Sequence, residues 1–180
     1  MRDAVLLLMH QGRSFTREAS EAVGQHGMRL VALSSAPEDP RSLETASEHL
    51  ADHIATDRQQ LRADDLHGIV ETFRTRGYAL RAAIATFEGY RLLMANLNRA
   101  LGAPDSTEDA LKLCLNKYDL RQFLLQAGLS EVRCHRVAPG ETPHLDSVTW
   151  FVKPVRGAAS FAAFILKSLD DLDDLSLIHI

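Results

Sequence analysis

The strongest constraint on this chain is the way short, unbroken apolar runs alternate with amphipathic stretches over its first hundred residues. A strand wet on one face alternates apolar and polar residues. A continuous run such as AVLLLM at 4–9 must be buried on both faces, which points to a parallel sheet with helices on either side. Parallel neighbours need a crossover between them, and the intervening segments supply it. Residues 14–26 carry Phe15, Ala19, Ala22 and Val23 at helical spacing before Gly27, and MRLVALSS at 28–35 predicts the second strand. SLETASEHL predicts a short helix after Pro37 and Pro40, and DHIATD at 52–57 a third strand. A helix with Leu61, Leu66, Ile69, Val70 and Phe73 on one stripe follows, ending near Gly77. ALRAAIATFE at 79–88 predicts a fourth strand leading into a helix over 89–101, with Leu92, Leu93, Leu97 and Leu101 facing inward. The fold class is therefore α/β, a Rossmann-like open parallel sheet.

GAPDS at 102–106 is a turn-rich break, and the domain boundary is placed there, near residue 103. TEDALKLCLNKYDLRQFLLQAGL is helical by pattern, with Ala110, Leu111, Leu113, Leu120, Phe123 and Leu124 as its apolar set and Gly128 as its end. SEVRCHRVA suggests a strand, GETPHL a loop, and VTWFVKPV at 148–155 a strand rich in β-branched and aromatic residues. After RGAAS, the segment FAAFILKSLDDLDDL fits either a strand running into a helix or one continuous helix. The last residues, LSLIHI, read as foreign or read-through sequence, so 176–180 is set apart as a non-native tail.

Charge and composition exclude several classes. A net charge of −4 with interspersed Lys and Arg offers no footprint for a phosphate backbone, so no nucleic-acid partner is expected. No apolar run approaches the ~18–20 residues that span a bilayer, and the six-residue apolar run near the start is too short for a signal peptide. A cytoplasmic location without membrane attachment is the resulting expectation. The two cysteines, Cys114 and Cys134, show no metal-ligand spacing and read as reduced thiols. The eight histidines form no HExxH pattern, so a metal site built from this chain is not expected.

Two lysines carry the chemical signal. Lys153 stands in an apolar strand beside Trp150, Phe151, Val152 and Pro154, and a buried ammonium there would need an anion. Alternation along the strand also allows it to point to solvent. The small-residue stretch after Lys153 favours a function: a Gly/Ala/Ser loop brings backbone N–H groups close to phosphate oxygens while the lysine adds charge. Arg156 fits either a phosphate contact or a solvated loop, and Arg121 and Lys112 read as solvated helix charges. The HQGRSF turn after the first strand holds one glycine and no dinucleotide fingerprint, so it reads as a plain tight turn.

An Asn-Lys pair opening a helix that ends in Gly, with a Lys-Pro strand and small-residue loop roughly 35 residues on, resembles the ATP-grasp superfamily over about 105–172. The preceding segment, with its Leu-Gly-Ala-Pro exit, resembles that family's N-terminal domain. The resemblance implies a pre-ATP-grasp domain at 1–103 and an incomplete first ATP-grasp α+β subdomain at 104–175. It matches Lys117 and Lys153 to two lysines that contact nucleotide phosphates, Lys153 near the α and β phosphates. Gly157, Ala158, Ala159 and Ser160 match the loop that folds over the phosphates, although GAAS is poorer in glycine than the family's loop and is followed by bulky Phe161. It also sets the turn at Gly12 on the substrate side.

The implied activity is an ATP-dependent carboxylate–amine or carboxylate–thiol ligase working through an acyl phosphate, with amino acids as the guessed substrates and a homodimer as the implied assembly. ATP and Mg2+ are the implied cofactors. The acidic Mg2+ ligands are expected beyond the end of this chain, because DLDDL comes too soon after the loop. The 180-residue chain is accordingly expected not to complete a catalytic cycle and to bind nucleotide weakly or not at all. The alternative reading is a non-catalytic α/β module for a nucleotide or small molecule. A periplasmic-type or receiver-like domain accounts for the first hundred residues equally well but leaves the two lysines without a reason.

Overall fold

The structure, a computed structural model, describes residues 1–12, 14–138, 141, 149–157 and 163–167. The chain forms two compact units, Met1–Glu108 and Asp109–Ile180. The turn-rich break at 102–106 lies inside the first.

The first unit is a four-stranded, wholly parallel sheet in the order β3-β2-β1-β4. Its strands are β1 (Arg2–Met9), β2 (Arg29–Ser34), β3 (Asp52–Ala55) and β4 (Tyr78–Ala85). Between and after them run α1 (Thr16–Gln25), α2 (Pro40–Ser47), α3 (Ala63–Leu66), α4 (Ile69–Thr75) and, following a 3-10 turn at Glu88–Tyr90, α5 (Arg91–Leu101). The unbroken apolar run of β1 is explained by its central place in the sheet. Ala4, Leu6 and Leu8 enter a core with Val31, Leu33, Phe73, Tyr90 and Leu97, whereas Val5, Leu7 and Met9 enter a second with Val23, Leu30, Ala32 and Ala46. Successive side chains point to opposite faces, so one strand seeds both layers.

The stripe expected to form one helix up to Gly77 is split into α3 and α4. His67 adopts an extended backbone (φ −63°, ψ 126°) between them, which leaves Val70 on the exposed side. Helix α5 buries Leu97 together with Ala95 and Asn98, while Leu93 and Leu101 pack at the rim of the core.

In the second unit the long helical segment is also two helices, α6 (Glu108–Leu115) and α7 (Lys117–Gln126), divided at Asn116. Only Leu111 of the expected apolar set is fully buried, and Phe123 is exposed. The strand expected at 130–138 does not form: the segment is irregular and has no ladder partner among the described residues. β5 (Trp150–Val152) and β6 (Phe164–Leu166) pair antiparallel, which decides for a strand at 164–166. The rest of that segment, the GETPHL loop apart from Glu141, and LSLIHI lie outside the described residues. Both cysteines are free thiols, and among the described residues no helix is long and apolar enough to cross a membrane.

Candidate functional site

The second unit brings Lys117 and the segment after β5 together. Asn116 takes an extended backbone and caps α7, its Oδ1 accepting from the N–H groups of Tyr118 and Asp119, each at 3.1 Å. Its amide Nδ2 donates to the Asp119 carboxylate. The reciprocal Asn/Asp arrangement satisfies donors that the first turn of any helix leaves open and puts a negative charge at the positive end of the helix dipole. Lys117, the first residue of α7, has one of those open N–H groups. It donates to the Val155 carbonyl at 2.9 Å. The Lys117 ammonium donates to the Gly157 carbonyl at 2.5 Å. The residue is thereby fixed twice to the chain that leaves β5.

That chain leaves the ribbon because Pro154 has no N–H to extend a ladder. Gly157 then turns at φ +135°, a conformation that side chains with a Cβ rarely adopt, so glycine is required at the mouth of the loop. Ala158, Ala159 and Ser160 lie outside the described residues.

Lys153, the first residue after β5, is exposed. Phe151 faces Ile165 across the ribbon, and the two are 63% and 56% exposed. On the opposite face Leu166 is buried. There the buried Trp150 indole N–H has no hydrogen-bond partner among the described residues, and its ring lies 5.4 Å from that of His135.

An open groove of about 760 Å³ adjoins the start of α7, lined among others by Asn116, Tyr118, Arg136, Glu141, Val155 and Arg156. Lys153 lies outside it. Arg136 was not singled out from the sequence, and only proximity in the fold, not spacing, reveals its convergence with Arg156. Arg121, read as a solvated charge, instead donates to the Ser130 hydroxyl at 2.9 Å and ties α7 to the segment after it. Among the described residues no group of three or more His, Cys, Asp or Glu side chains could hold a metal ion.

In the first unit the turn after β1 proves to be a packing device. The amides of Gln11 and Gly12 donate to the hydroxyls of Ser35 (2.8 Å) and Ser34 (3.0 Å), both buried at the end of β2. Gly12 sits at φ +71°, and a Cβ there would stand 3.0 Å from the Leu43 nitrogen. Close approach explains this glycine without a ligand. The sequence reading missed an aromatic cluster beside it, at the carboxyl ends of β1 and β4. His10 stacks on Phe87 at 4.2 Å, and its Nδ1 lies 3.1 Å from the Tyr90 hydroxyl, which accepts from the Leu61 N–H at 3.0 Å. The available signal was a ring-bearing residue one or two positions after each of two neighbouring strands, in the edge region where open parallel sheets bind ligands.

No protein-family model matches the chain, and no curated protein matches it in sequence. Solved structures do match. An L-amino acid ligase from Bacillus licheniformis superposes with a TM-score of 0.67 at 18% identity, covering 97% of this chain and 41% of that enzyme. PurK, an N5-carboxyaminoimidazole ribonucleotide synthetase solved as its ADP complex, superposes with a TM-score of 0.57 at 11% identity, covering 97% of this chain and 43% of PurK. The chain spans about two fifths of the length of these two proteins, both ATP-grasp carboxylate–amine ligases. Over that span the chain shares its fold with both structures.

Proposed function

We propose that this chain is part of an ATP-dependent ligase that activates a carboxylate as an acyl phosphate for attack by an amine, with an amino acid as one substrate. In that reaction the γ-phosphoryl group of ATP passes to the carboxylate, and the amine then attacks the acyl carbon and expels phosphate to form an amide. Lys153, exposed just after β5, and Lys117, at the start of α7, are the residues proposed to neutralise the phosphates. Fixed cations matter in such chemistry because little else is asked of the protein than positioning and charge stabilisation. Gly157 opens the loop proposed, with Ala158, Ala159 and Ser160, to cover the phosphates. The Mg2+ that ATP brings would take its acidic ligands from outside this chain.

The observation that carries this reading is the double attachment of Lys117 to Val155 and Gly157. It joins one lysine to the segment that comes after the other, with Gly157 lying 40 positions on in sequence. The exposure of Lys153 equally suits the competing reading, a non-catalytic binding module whose lysine is simply solvated.

Amide shift mapping separates the two. Millimolar ATP is expected to bind the chain weakly, with shifts concentrated at Lys117, Lys153 and Gly157, and to lose those shifts in Lys153→Ala. Saturating shifts elsewhere, or shifts at these residues that persist in Lys153→Ala, would overturn the assignment.

A further inference from the structure

The edge strand β4 does not pair regularly with β1. Ala4 stands opposite Leu80 and Val5 opposite Ala82, so Arg81 is an extra residue, a bulge of a kind rare between parallel strands. Its effect shows in which core each side chain enters. Tyr78 and Leu80, on one face of the strand by alternation, join Leu6 and Leu8. The next to join them is Ala83, and Ala85 and Phe87 pack against the same core, whereas Ile84 packs against the other. Regular pairing after Leu80 would instead send Ala82, Ile84 and Thr86 to that face, because a slip of one residue exchanges the faces of everything beyond it. The Phe87 ring would then turn away from His10, on which it stacks at 4.2 Å.

We propose that Arg81 sets this register: its charge bars regular pairing, and the bulge that results carries Phe87 onto His10 at the carboxyl edge of the sheet. In a regular strand Arg81 would stand opposite Val5, which is 5% exposed, with its guanidinium against the apolar layer of Leu7 and Leu30. As an extra residue it is exposed instead, and its Nη2 lies 2.8 Å from Asp3 Oδ1. Ala82 takes the place opposite Val5. Beyond the bulge, the backbone of β4 is held on the side away from β1 by Asn98 of α5, only 3% exposed. Its Oδ1 accepts from the Ala83 N–H at 2.6 Å, and its Nδ2 donates to the Ala83 carbonyl at 3.0 Å and to Asp105 Oδ2 at 2.8 Å. Asn98 satisfies this edge but does not choose the register, since Ala82 moved into the place of Ala83 would offer the same two backbone groups. Arg81 is thus a positioning residue, acting on Phe87 through the strand between them.

Two single-residue deletions in the full chain test this, because they give strands of equal length that differ in what must stand opposite Val5. Deleting Arg81 removes the extra residue and puts Ala82 there by regular pairing. That chain is expected to fold, to keep the nuclear Overhauser contacts between the Phe87 and His10 rings, and to keep the exchange protection of β1. Deleting Ala82 leaves Arg81 to fill the place or shifts every residue after it to the wrong face. It is expected to abolish the ring contacts and to speed exchange of the β1 amides about tenfold or more, or to prevent folding. A need for strand length alone predicts equal damage from both. The proposal is overturned if the Arg81 deletion unfolds the chain or separates the rings, or if the Ala82 deletion keeps the rings together with β1 as protected as before.

Discussion

Replacing Asn116 by alanine removes two cap hydrogen bonds, from Tyr118 and Asp119, together with the return contact to the Asp119 carboxylate. Loss of an Asn cap costs about 1 kcal/mol, within a range of 0.5–2. Helix α7 has ten residues and none of them fully buried, so packing does little to replace the cap. The loss should therefore show as local fraying more than as global unfolding. About 1 kcal/mol corresponds to roughly a fivefold shift in a local opening equilibrium. The amides of Tyr118, Asp119 and Leu120 should exchange about that much faster, the last because it donates to the Asn116 carbonyl at 2.9 Å. Asn116→Asp keeps the acceptor and should restore most of the protection. Unchanged exchange in the alanine variant, or an aspartate variant as frayed as alanine, would refute the assignment of this side chain as the element that positions Lys117.

The packing and charge lead to three further outcomes. Leu7→Ala, in a fully buried position of the central strand, should lower the unfolding free energy by about 2–5 kcal/mol in a urea titration. Gly12→Ala forces a Cβ into a left-handed residue 3.0 Å from the Leu43 nitrogen and should cost about 1–3 kcal/mol by the same titration. Burial pushes the Asp105 carboxyl up, but hydrogen bonds from Asn98, Arg91 and the Ser106 N–H, with the Arg91 charge, outweigh it and hold the group below the ordinary value of 3.8. A lowered folded value means that the stabilisation is complete above 3.8 and fades as pH falls through the folded value. Asp105→Asn should therefore be most costly near neutral pH, with the urea midpoints of variant and unmodified chain converging in acid.

The sheet was legible because its signal is local. A six-residue apolar run such as that of β1 has few places to go except between two helical layers, and the helices between the strands announce themselves by period. The errors lie where a single residue breaks a longer pattern. The apolar stripe of α3 and α4 continues in sequence through His67, whose extended backbone divides it in space. Asn116 interrupts a helical pattern in the same way, since an asparagine within a helix and one at a cap look alike until the backbone turns. Residues 130–138 have the composition of a strand but no partner to pair with among the described residues, and a ladder takes two. Asn98 was missed because polar residues are rarely fully buried and its partners, Ala83 and Asp105, give no sequence signal. For the candidate site, the sequence singled out Lys117, Lys153 and Gly157. The contact between Lys117 and Gly157, across 40 residues, came from the fold alone.

The central claim is tested most directly in a protein that joins this chain to the remaining length of a ligase, by measuring carboxylate-dependent ADP release while hydroxylamine traps the acyl phosphate as a hydroxamate. The account predicts trapped hydroxamate that depends on ATP and falls about 10²–10³-fold in Lys153→Ala, the loss typical of removing one group that stabilises transition-state charge. Hydroxamate formation undiminished in Lys153→Ala, or no ADP release with any carboxylate, would contradict it.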